Sequence, residues 1–298
     1  MFEGLSVAMV TPFRRGEIDY EGTERLIAFM LDGGVQGLVV SGSTGEAATC
    51  SVEERRALWK FVKERVRGRV PVIAGTGTNN TADSIELTRI AQDLGLDGAM
   101  LVTPYYNKPT PKGQIAHFAT VARSTSLPVV LYNVPGRTAT NTMPDVFEKL
   151  QDIPNIVAIK EASGSLDQSS ALAARTRFTI LSGDDSLTLP ICAVGGAGVI
   201  SVAGQVAPAP MRALTDHARA GRITDAQEVH SRLSPLFKAL FIESNPGPCK
   251  YLLSALRICD NELRLPLVTV EPGTEKVLLE AARASGIELP QGLAATRS

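Results

Sequence analysis

One lysine stands where the sequence predicts a nucleophilic amine. Lys160 follows the apolar run Ile156–Ile159, so its ammonium group is expected at the end of a buried strand and away from bulk water. Burial disfavours the charged form, lowers the pKa and frees the lone pair that attacks a ketone to form a Schiff base. The alternatives are an ion pair with Glu161 or Asp184, or a side chain that reaches water, because structural lysines outnumber catalytic ones.

A phenol, a guanidinium and a hydroxyl-bearing loop follow other apolar runs. Tyr132 can be a core ring with a solvated hydroxyl, or it can shuttle protons beside a lysine. Arg137 can be a surface residue of a turn, or a fixed guanidinium that binds a substrate carboxylate. The segment Gly42–Gly45 can be an ordinary helix-capping turn, or its amides can hold a carboxylate together with the hydroxyls of Ser43 and Thr44.

The sequence predicts neither a protein-bound metal nor a dinucleotide cofactor. His117, His217 and His230 are far apart and lack the spacing of a metal motif. The segment Gly75–Asn80 resembles part of a dinucleotide fingerprint, but it lacks the third glycine and the acidic residue that should follow. The four cysteines show no CxxC spacing, and we interpret them as partly buried thiols of a reducing compartment.

Eight short apolar runs have the pattern of strands that are buried on both faces of a parallel sheet. They are Leu5–Val10, Gly37–Ser41, Val70–Gly75, Ala99–Thr103, Pro128–Tyr132, Ile156–Lys160, Phe178–Ser182 and Gly198–Val202. Amphipathic stretches with helix-start signals lie between them, such as the serine and acid of Ser51–Glu54. This alternation predicts an α/β fold, a (β/α)8 TIM barrel, rather than an open doubly wound sheet.

The barrel is predicted to span residues 1–222, and a C-terminal helical region to span residues 223–298. After Gly221 the strand signal is lost and the pattern becomes helical. The predicted helices of this region are Ala226–Ile242, Cys249–Ile258 and Glu275–Ala284. The last residues, 291–298, are expected to fray.

The composition excludes several classes of protein. A formal net charge of -1, with 44% hydrophobic and 20% charged residues, fits neither a disordered chain nor a protein that coats nucleic acid. The early apolar run Leu5–Val10 is much shorter than the roughly 20 residues of a membrane span, and no basic segment precedes it. We therefore predict a soluble, cytoplasmic protein with no membrane and no nucleic acid among its partners.

In a TIM barrel the loops at the carboxyl ends of the strands form the site, so the polar residues that follow the strands should meet there. These segments are Gly42–Glu46, Pro104–Asn107, Tyr132–Thr138, Lys160–Glu161, Gly183–Asp185 and Ile200–Ser201. They bring together hydroxyls, glycines and two cations. Such a set suits small acidic substrates better than a metal.

Several motifs, in this order along the chain, resemble those of the dihydrodipicolinate synthase family. This family belongs to the pyruvate-dependent class I aldolase group, which includes N-acetylneuraminate lyase. The wider group shares the glycine loop, Gly42–Glu46, and the strand that ends at Lys160. The motifs more specific to the synthases are Pro104–Pro109, Tyr132–Thr138, Ser182–Asp185, Gly198–Ser201 and Asn245–Lys250. The resemblance covers essentially the whole chain.

The resemblance implies a condensation of pyruvate with L-aspartate 4-semialdehyde in lysine biosynthesis, with no cofactor beyond a covalent imine on Lys160. It implies that Tyr132 transfers protons, and that Ser43 and Tyr106 complete a hydroxyl relay to it, Tyr106 from the neighbouring subunit. The synthases usually have threonine where this chain has Ser43. The hydroxyl is kept, but without the methyl group its rotamer is less fixed.

The resemblance also implies the residues that hold the two substrates. Thr44, together with backbone amides of its loop at Gly45 and of Ile200, would hold the pyruvate carboxylate. Arg137 would bind the carboxylate of the semialdehyde, with Gly183 beside it. Two alternatives to the synthase activity stay open at this point. They are another pyruvate-dependent aldolase or lyase of the same group, and a non-catalytic sensor of small acids.

Family members assemble as homotetramers built from two tight dimers, and the resemblance implies the same here. It also bears on inhibition by lysine. Inhibited members have histidines at the positions of Val52 and Arg55, and this chain has Asp83 in place of the usual glutamate, although Asn79 and Tyr105 remain. We therefore expect lysine to inhibit weakly or not at all.

Overall fold

Eight parallel strands close into a barrel in the computed structural model, which describes residues 2–290. The predicted fraying of residues 291–298 lies outside the described residues. The order around the barrel is β1-β10-β9-β8-β7-β6-β5-β4, so consecutive barrel strands are neighbours, and β2 and β3 form a separate antiparallel pair. The ten strands of the described part are β1 (Gly4–Ala8), β2 (Phe13–Arg14), β3 (Glu17–Ile18), β4 (Gly37–Val40), β5 (Val72–Gly75), β6 (Gly98–Val102), β7 (Val129–Asn133), β8 (Ile156–Glu161), β9 (Thr179–Ser182) and β10 (Gly198–Ser201).

The predicted TIM barrel and its eight strands are confirmed, with boundaries that differ by no more than two residues. The runs are continuous in apolar residues because the strands are buried both by the barrel interior and by the surrounding helices. The antiparallel pair β2–β3 was not predicted, because two-residue strands carry too little periodicity to be recognised.

One inward-facing side chain from each barrel strand packs into a common interior cluster, so the barrel is a filled core and not a pore. These side chains are Ala8, Val39, Ile73, Met100, Val130, Ala158, Leu181 and Ile200. Tyr132 belongs to the same cluster. The polar groups of the site must therefore lie above this layer, at the carboxyl ends of the strands.

Nine helices follow the barrel strands around the outside. They are α1 (Tyr20–Asp32), α2 (Val52–Val66), α3 (Thr81–Asp93), α4 (Pro111–Arg123), α5 (Pro135–Thr138), α6 (Pro144–Glu148), α7 (Leu166–Arg175), α8 (Thr188–Ala193) and α9 (Pro208–Arg219), counted within residues 2–290. Helix α2 begins as predicted, since Ser51 and Glu54 form a reciprocal capping box. Among residues 2–290, no helix combines the length and the apolar character that crossing a bilayer requires.

Within residues 223–290 the C-terminal region forms three further helices: α10 (Ile223–Ala239), α11 (Gly247–Ala255) and α12 (Pro272–Ala284). Helix α10 ends before Phe241 and Ile242, which the sequence pattern had included, and these residues instead line a cleft above the barrel. The region has no separate core within the described residues. Leu233 of α10 and Leu252 of α11 belong to the same buried cluster as Leu5 of β1.

Candidate active site

Lys160 and Tyr132 lie side by side at the ends of adjacent strands. They are register partners in the β7–β8 pair, so both side chains leave the sheet on the same face. Lys160 is only 4% exposed, and its Nζ lies 4.2 Å from the centroid of the Tyr132 ring. The predicted proximity of amine and phenol is confirmed.

The amine of Lys160 is buried without a carboxylate partner. No ion pair within 4.0 Å joins it to Glu161, to Asp184 or to any other acid of residues 2–290, which contradicts the ion-pair alternative. Glu161 leaves its strand on the opposite face, where Asn133 and Gln168 donate to its carboxylate at 3.2–3.3 Å. The lysine is thus left free to react.

Burial lowers the pKa of Lys160 from 10.5 to about 8. The negative charges of Asp184 and Asp185 oppose this shift, and the positive charge of Arg137 adds to it. A useful fraction of the amine is therefore unprotonated near neutral pH, as a Schiff-base nucleophile requires.

A second buried lysine shows the contrast. Lys250 of α11 lies 2.5 Å from the carboxylate of Glu46, and both side chains are 0% exposed. Lys250 also donates to the carbonyl oxygen of Glu262 at 2.6 Å. Burial lowers its pKa and Glu46 opposes that shift, so this amine is held as a charged structural partner. Only Lys160, of these two, has the environment of a nucleophile.

Tyr132 is buried, and burial raises the pKa of its phenol, with Arg137 opposing the shift. The hydroxyl therefore remains protonated at neutral pH and can donate a proton to a neighbouring group. It lies beside Lys160, as a proton shuttle would have to, and the role itself stays a prediction.

The glycine loop between β4 and α2 is fixed from both sides. Thr44 is buried, and its Oγ1 accepts a hydrogen bond of 2.8 Å from Asn245. The amide of Gly45, which was expected to bind the pyruvate carboxylate, instead closes the turn by donating to the carbonyl oxygen of Gly42 at 3.1 Å. Ser43 lies at the exposed side of the loop. The loop places two hydroxyls at the cavity, as predicted.

Arg137 lies on the short helix α5, directly after β7. Its side chain is exposed, and its Nη2 donates to the carbonyl oxygen of Asn245 at 3.3 Å. Asn245 therefore contacts both the predicted pyruvate side, through Thr44, and the predicted semialdehyde side. The sequence offered a signal for this residue, the motif Asn245–Lys250, but no spacing rule could place it against residues about 100 and 200 positions earlier.

A cavity of about 70 Å³ forms at the amine, and its lining includes Ser43, Thr44, Tyr132, Arg137, Lys160 and Asp184. It adjoins two wider clefts, of about 350 and 880 Å³, and Arg137 and Asn245 line all three. The C-terminal region supplies one wall of the clefts. The innermost space suits a small keto acid, and the clefts leave room for a second substrate.

Gly183 lines the 70 Å³ cavity, and Ile200 lies in the interior cluster of the barrel. A Cβ on Gly183 would lie 2.6 Å from the Cβ of Ala162 and 3.2 Å from the Cε of Lys160, so a larger residue would crowd the lysine. The side chain of Ile200 is fully buried in the barrel interior, and Ile200 is not among the residues that line the three cavities. Gly183 therefore lies at the cavity, whereas the role of Ile200 stays a prediction.

Tyr106 does not meet the other site residues within one chain. It is 89% exposed, has a φ of 73°, and is not among the residues that line the three cavities. A relay from Ser43 to Tyr132 through Tyr106 therefore requires this residue from a second subunit, as the sequence interpretation supposed.

The positions linked to lysine inhibition lie around α2 and α3. Val52 is 39% exposed and Tyr105 is 39% exposed. Arg55 donates to the carbonyl oxygen of Ala47, and Asp83 accepts from Asn80 at 2.9 Å. The expectation of weak inhibition stays a prediction.

Comparison with known proteins shows similarity along almost the whole chain. Residues 1–284 match the model of the dihydrodipicolinate synthetase family. The chain is 45% identical to a 4-hydroxy-tetrahydrodipicolinate synthase of Thermotoga neapolitana, over 96% of this chain and 100% of that protein. A dihydrodipicolinate synthase structure from Aquifex aeolicus is similar with a TM-score of 0.95 and 43% identity, over 97% of this chain and 100% of that one. The chloride-inhibited dihydrodipicolinate synthase from Acinetobacter baumannii, complexed with pyruvate, has a TM-score of 0.95 and 38% identity, over 97% and 100% of the two chains.

Proposed function

Since the chain belongs to the dihydrodipicolinate synthetase family, we propose that its barrel site performs the synthase reaction of that family. The protein is an enzyme that condenses pyruvate with L-aspartate 4-semialdehyde to give 4-hydroxy-tetrahydrodipicolinate, in the biosynthesis of diaminopimelate and lysine. One observation carries the mechanism: an unpaired, buried amine at a small cavity, in contact with a phenol.

The reaction begins at Lys160. Its neutral amine attacks the ketone carbon of pyruvate, and loss of water gives an imine, whose protonated form draws electrons from the neighbouring methyl group. Loss of a methyl proton gives an enamine, and its carbon attacks the aldehyde. The amino group of the adduct then attacks the imine carbon, and Lys160 leaves as a free amine. No cofactor enters these steps, so activity should survive dialysis against a chelator.

Tyr132 is proposed to carry the protons of these steps. Its phenol is protonated at neutral pH and lies over the amine, so it can protonate the hydroxyl that leaves as water. Ser43 of the same chain, together with Tyr106 of the partner subunit, completes the relay to solvent. A single hydroxyl at position 43 is enough for this role, because the relay needs the oxygen and not the methyl group.

The two acidic substrates are assigned to two sides of the cavity. Thr44, with backbone amides of its loop and of Ile200, is assigned to the carboxylate of pyruvate next to the amine. Arg137 binds the carboxylate of the semialdehyde at the junction of the cavity and the clefts, where a guanidinium offers paired donors. Gly183 keeps the space beside the lysine open.

Borohydride reduction in the presence of pyruvate tests the mechanism. Mass spectrometry of the digested protein should locate a reduced pyruvate adduct on Lys160, and the peptide that contains Lys250 serves as an internal control for a buried but paired amine. Lys160→Ala should abolish the adduct. An unmodified Lys160 in the wild-type protein would support the non-catalytic sensor instead.

The choice among aldolases is tested at Arg137. Arg137→Gln should impair use of aspartate semialdehyde far more than it impairs trapping of pyruvate on Lys160. Equal impairment of both would disfavour the synthase assignment. A product other than 4-hydroxy-tetrahydrodipicolinate would favour the wider lyase group.

We also propose a homotetramer built from two tight dimers, in the cytoplasm, where free thiols stay reduced. The exposed Tyr106 supports the tight dimer, because the relay is incomplete in one chain. Analytical ultracentrifugation combined with activity on dilution tests it, and a fully active monomer would contradict the shared site.

Millimolar lysine should leave most of the activity. A tenfold loss would show that Val52 and Arg55 do not prevent inhibition.

A further inference from the structure

Among residues 2–290, four carboxylates lie at the carboxyl ends of the barrel strands near the cavity, and three of them have partners within the protein. Glu46 pairs with Lys250, and Glu161 accepts hydrogen bonds from side-chain amides. Asp185 accepts from the hydroxyl of Ser201 and from two backbone amides at 2.8 and 3.1 Å. The fourth carboxylate, Asp184, differs from these.

The carboxylate of Asp184 has neither a hydrogen bond nor an ion pair within residues 2–290, although it is only partly exposed. Its backbone, in contrast, is fixed. The hydroxyl of Ser182 donates to the carbonyl oxygen of Asp184 at 2.7 Å and accepts from its amide at 3.2 Å. The side chain lines both the 70 Å³ cavity and the 880 Å³ cleft. A rigidly held, unpaired anion therefore faces the ligand space.

Arg137 lines the same two spaces. The ion pairs within 4.0 Å in the described part of the chain do not join it to Asp184. Both residues line the 70 Å³ cavity together with Tyr132 and Lys160, so both charges lie near the reacting pair. A separated cation and anion around one cavity match a ligand that carries one charge of each sign.

Asp184 does not fit the role of a helper of the lysine. A carboxylate near an amine favours the charged ammonium form, and the nucleophile must be neutral. Asp184 raises the pKa of Lys160 and so lowers the fraction of neutral amine, which does not assist the first attack on the ketone. Pyruvate has no positive charge, whereas an amino-acid aldehyde carries an ammonium group beside its carboxylate.

We infer that Asp184 binds the α-ammonium group of the aldehyde substrate while Arg137 binds its carboxylate, so that the two residues together select a zwitterionic amino aldehyde. This inference rests on the proposed function and names the group that distinguishes the second substrate. Charge-assisted hydrogen bonds of this kind are stronger than neutral ones.

The test compares two aldehydes that differ only in the amino group, aspartate 4-semialdehyde and 4-oxobutanoate. The first is measured as a substrate, through kcat/KM, and the second as a competitive inhibitor, through its inhibition constant. Asp184→Asn should lower kcat/KM for the amino aldehyde by about 10- to 100-fold, the usual effect of losing a charged hydrogen bond. It should change the inhibition constant of 4-oxobutanoate less than about threefold, because that molecule has no ammonium group.

Arg137→Gln is the matched control, because both aldehydes keep the carboxylate and both should bind more weakly. Asp184→Glu, which retains the charge, should recover part of the discrimination. Thermal unfolding checks that each variant is folded. A similar loss for both aldehydes in Asp184→Asn, or no loss for either, would overturn the inference.

Trapping with pyruvate and borohydride separates this inference from the proposed function. If wild-type protein forms no adduct on Lys160, the proposed mechanism fails and the inference fails with it. If the adduct forms in both wild type and Asp184→Asn, the mechanism stands, and only the comparison of aldehydes decides the role of Asp184.

Discussion

The rate of imine formation should follow the ionisation of Lys160, and its magnitude can be worked out from the site. An amine with the ordinary pKa of 10.5 is about 0.03% neutral at pH 7, whereas one with a pKa of about 8 is about 9% neutral. Burial therefore supplies about a 300-fold gain in reactive amine. Below pH 8 the rate of trapping should rise about tenfold per pH unit, and above it the rate should level off.

The assay measures reduced pyruvate adduct on Lys160 after short incubations between pH 6 and 10, with pyruvate well below saturation. Two variants test the cause of the shift, because the neighbouring charges act with opposite signs. Asp184→Asn removes a charge that raises the lysine pKa, so the midpoint should move down. Arg137→Gln removes a charge that lowers it, so the midpoint should move up. Asp185 and Tyr132 are unchanged in both variants.

A midpoint near 10.5 in the wild-type protein would refute the reasoning, because it would mean that burial leaves the amine in its ordinary state. A shift of both variants in the same direction would show that the neighbouring charges do not act as described. The Lys250 peptide again gives the baseline for an amine that is buried but held in an ion pair.

Three further predictions concern the support of the site. Lys250→Met leaves the carboxylate of Glu46 buried without its partner, so the free energy of unfolding measured in urea should fall by about 3–5 kcal/mol. Adding Glu46→Gln should recover most of this loss. A loss below about 1 kcal/mol would contradict the buried pair. Thr44→Val keeps the shape of the side chain but leaves the Asn245 amide without its acceptor, so the free energy of unfolding should fall by about 1–3 kcal/mol. The KM for pyruvate should rise. An unchanged KM would contradict the assignment of Thr44 to the pyruvate carboxylate. Burial lowers the pKa of His117 from 6.5 to about 4, so the unfolded chain binds its proton first as the pH falls. The free energy of unfolding should therefore decline between pH 6.5 and about 4, by about 3 kcal/mol at most. Urea unfolding of His117→Phe should lack this part of the decline.

The barrel could be predicted from the sequence because each strand can be recognised from its own run of apolar residues. A run such as Ile156–Lys160 needs no information from the rest of the chain to be recognised as a buried strand, and parallel strands in a barrel bring their carboxyl ends together. The prediction of Lys160, Tyr132 and the glycine loop as neighbours follows from that geometry. Burial then gives the lysine its reactivity.

The supports of the site could not be predicted in the same way. The hydrogen bond from Asn245 to Thr44 joins residues about 200 positions apart, and the Glu46–Lys250 pair has a similar separation. Periodicity reports which face of an element is buried, but it does not report which distant side chain meets it there. The unpaired state of Asp184 is likewise visible only once the partners of the other carboxylates are known.

The glycine loop and the C-terminal region are bound to one another by Glu46 with Lys250 and by Thr44 with Asn245. This has a consequence for the way relatives of this enzyme can be recombined. A chimera that takes its barrel from one parent and its C-terminal region from another inherits a working loop only when both contacts are matched across the junction. Substitutions at positions 46 and 250 should therefore be tolerated only when they occur together. The two segments should be taken from the same parent even though they are distant in the chain.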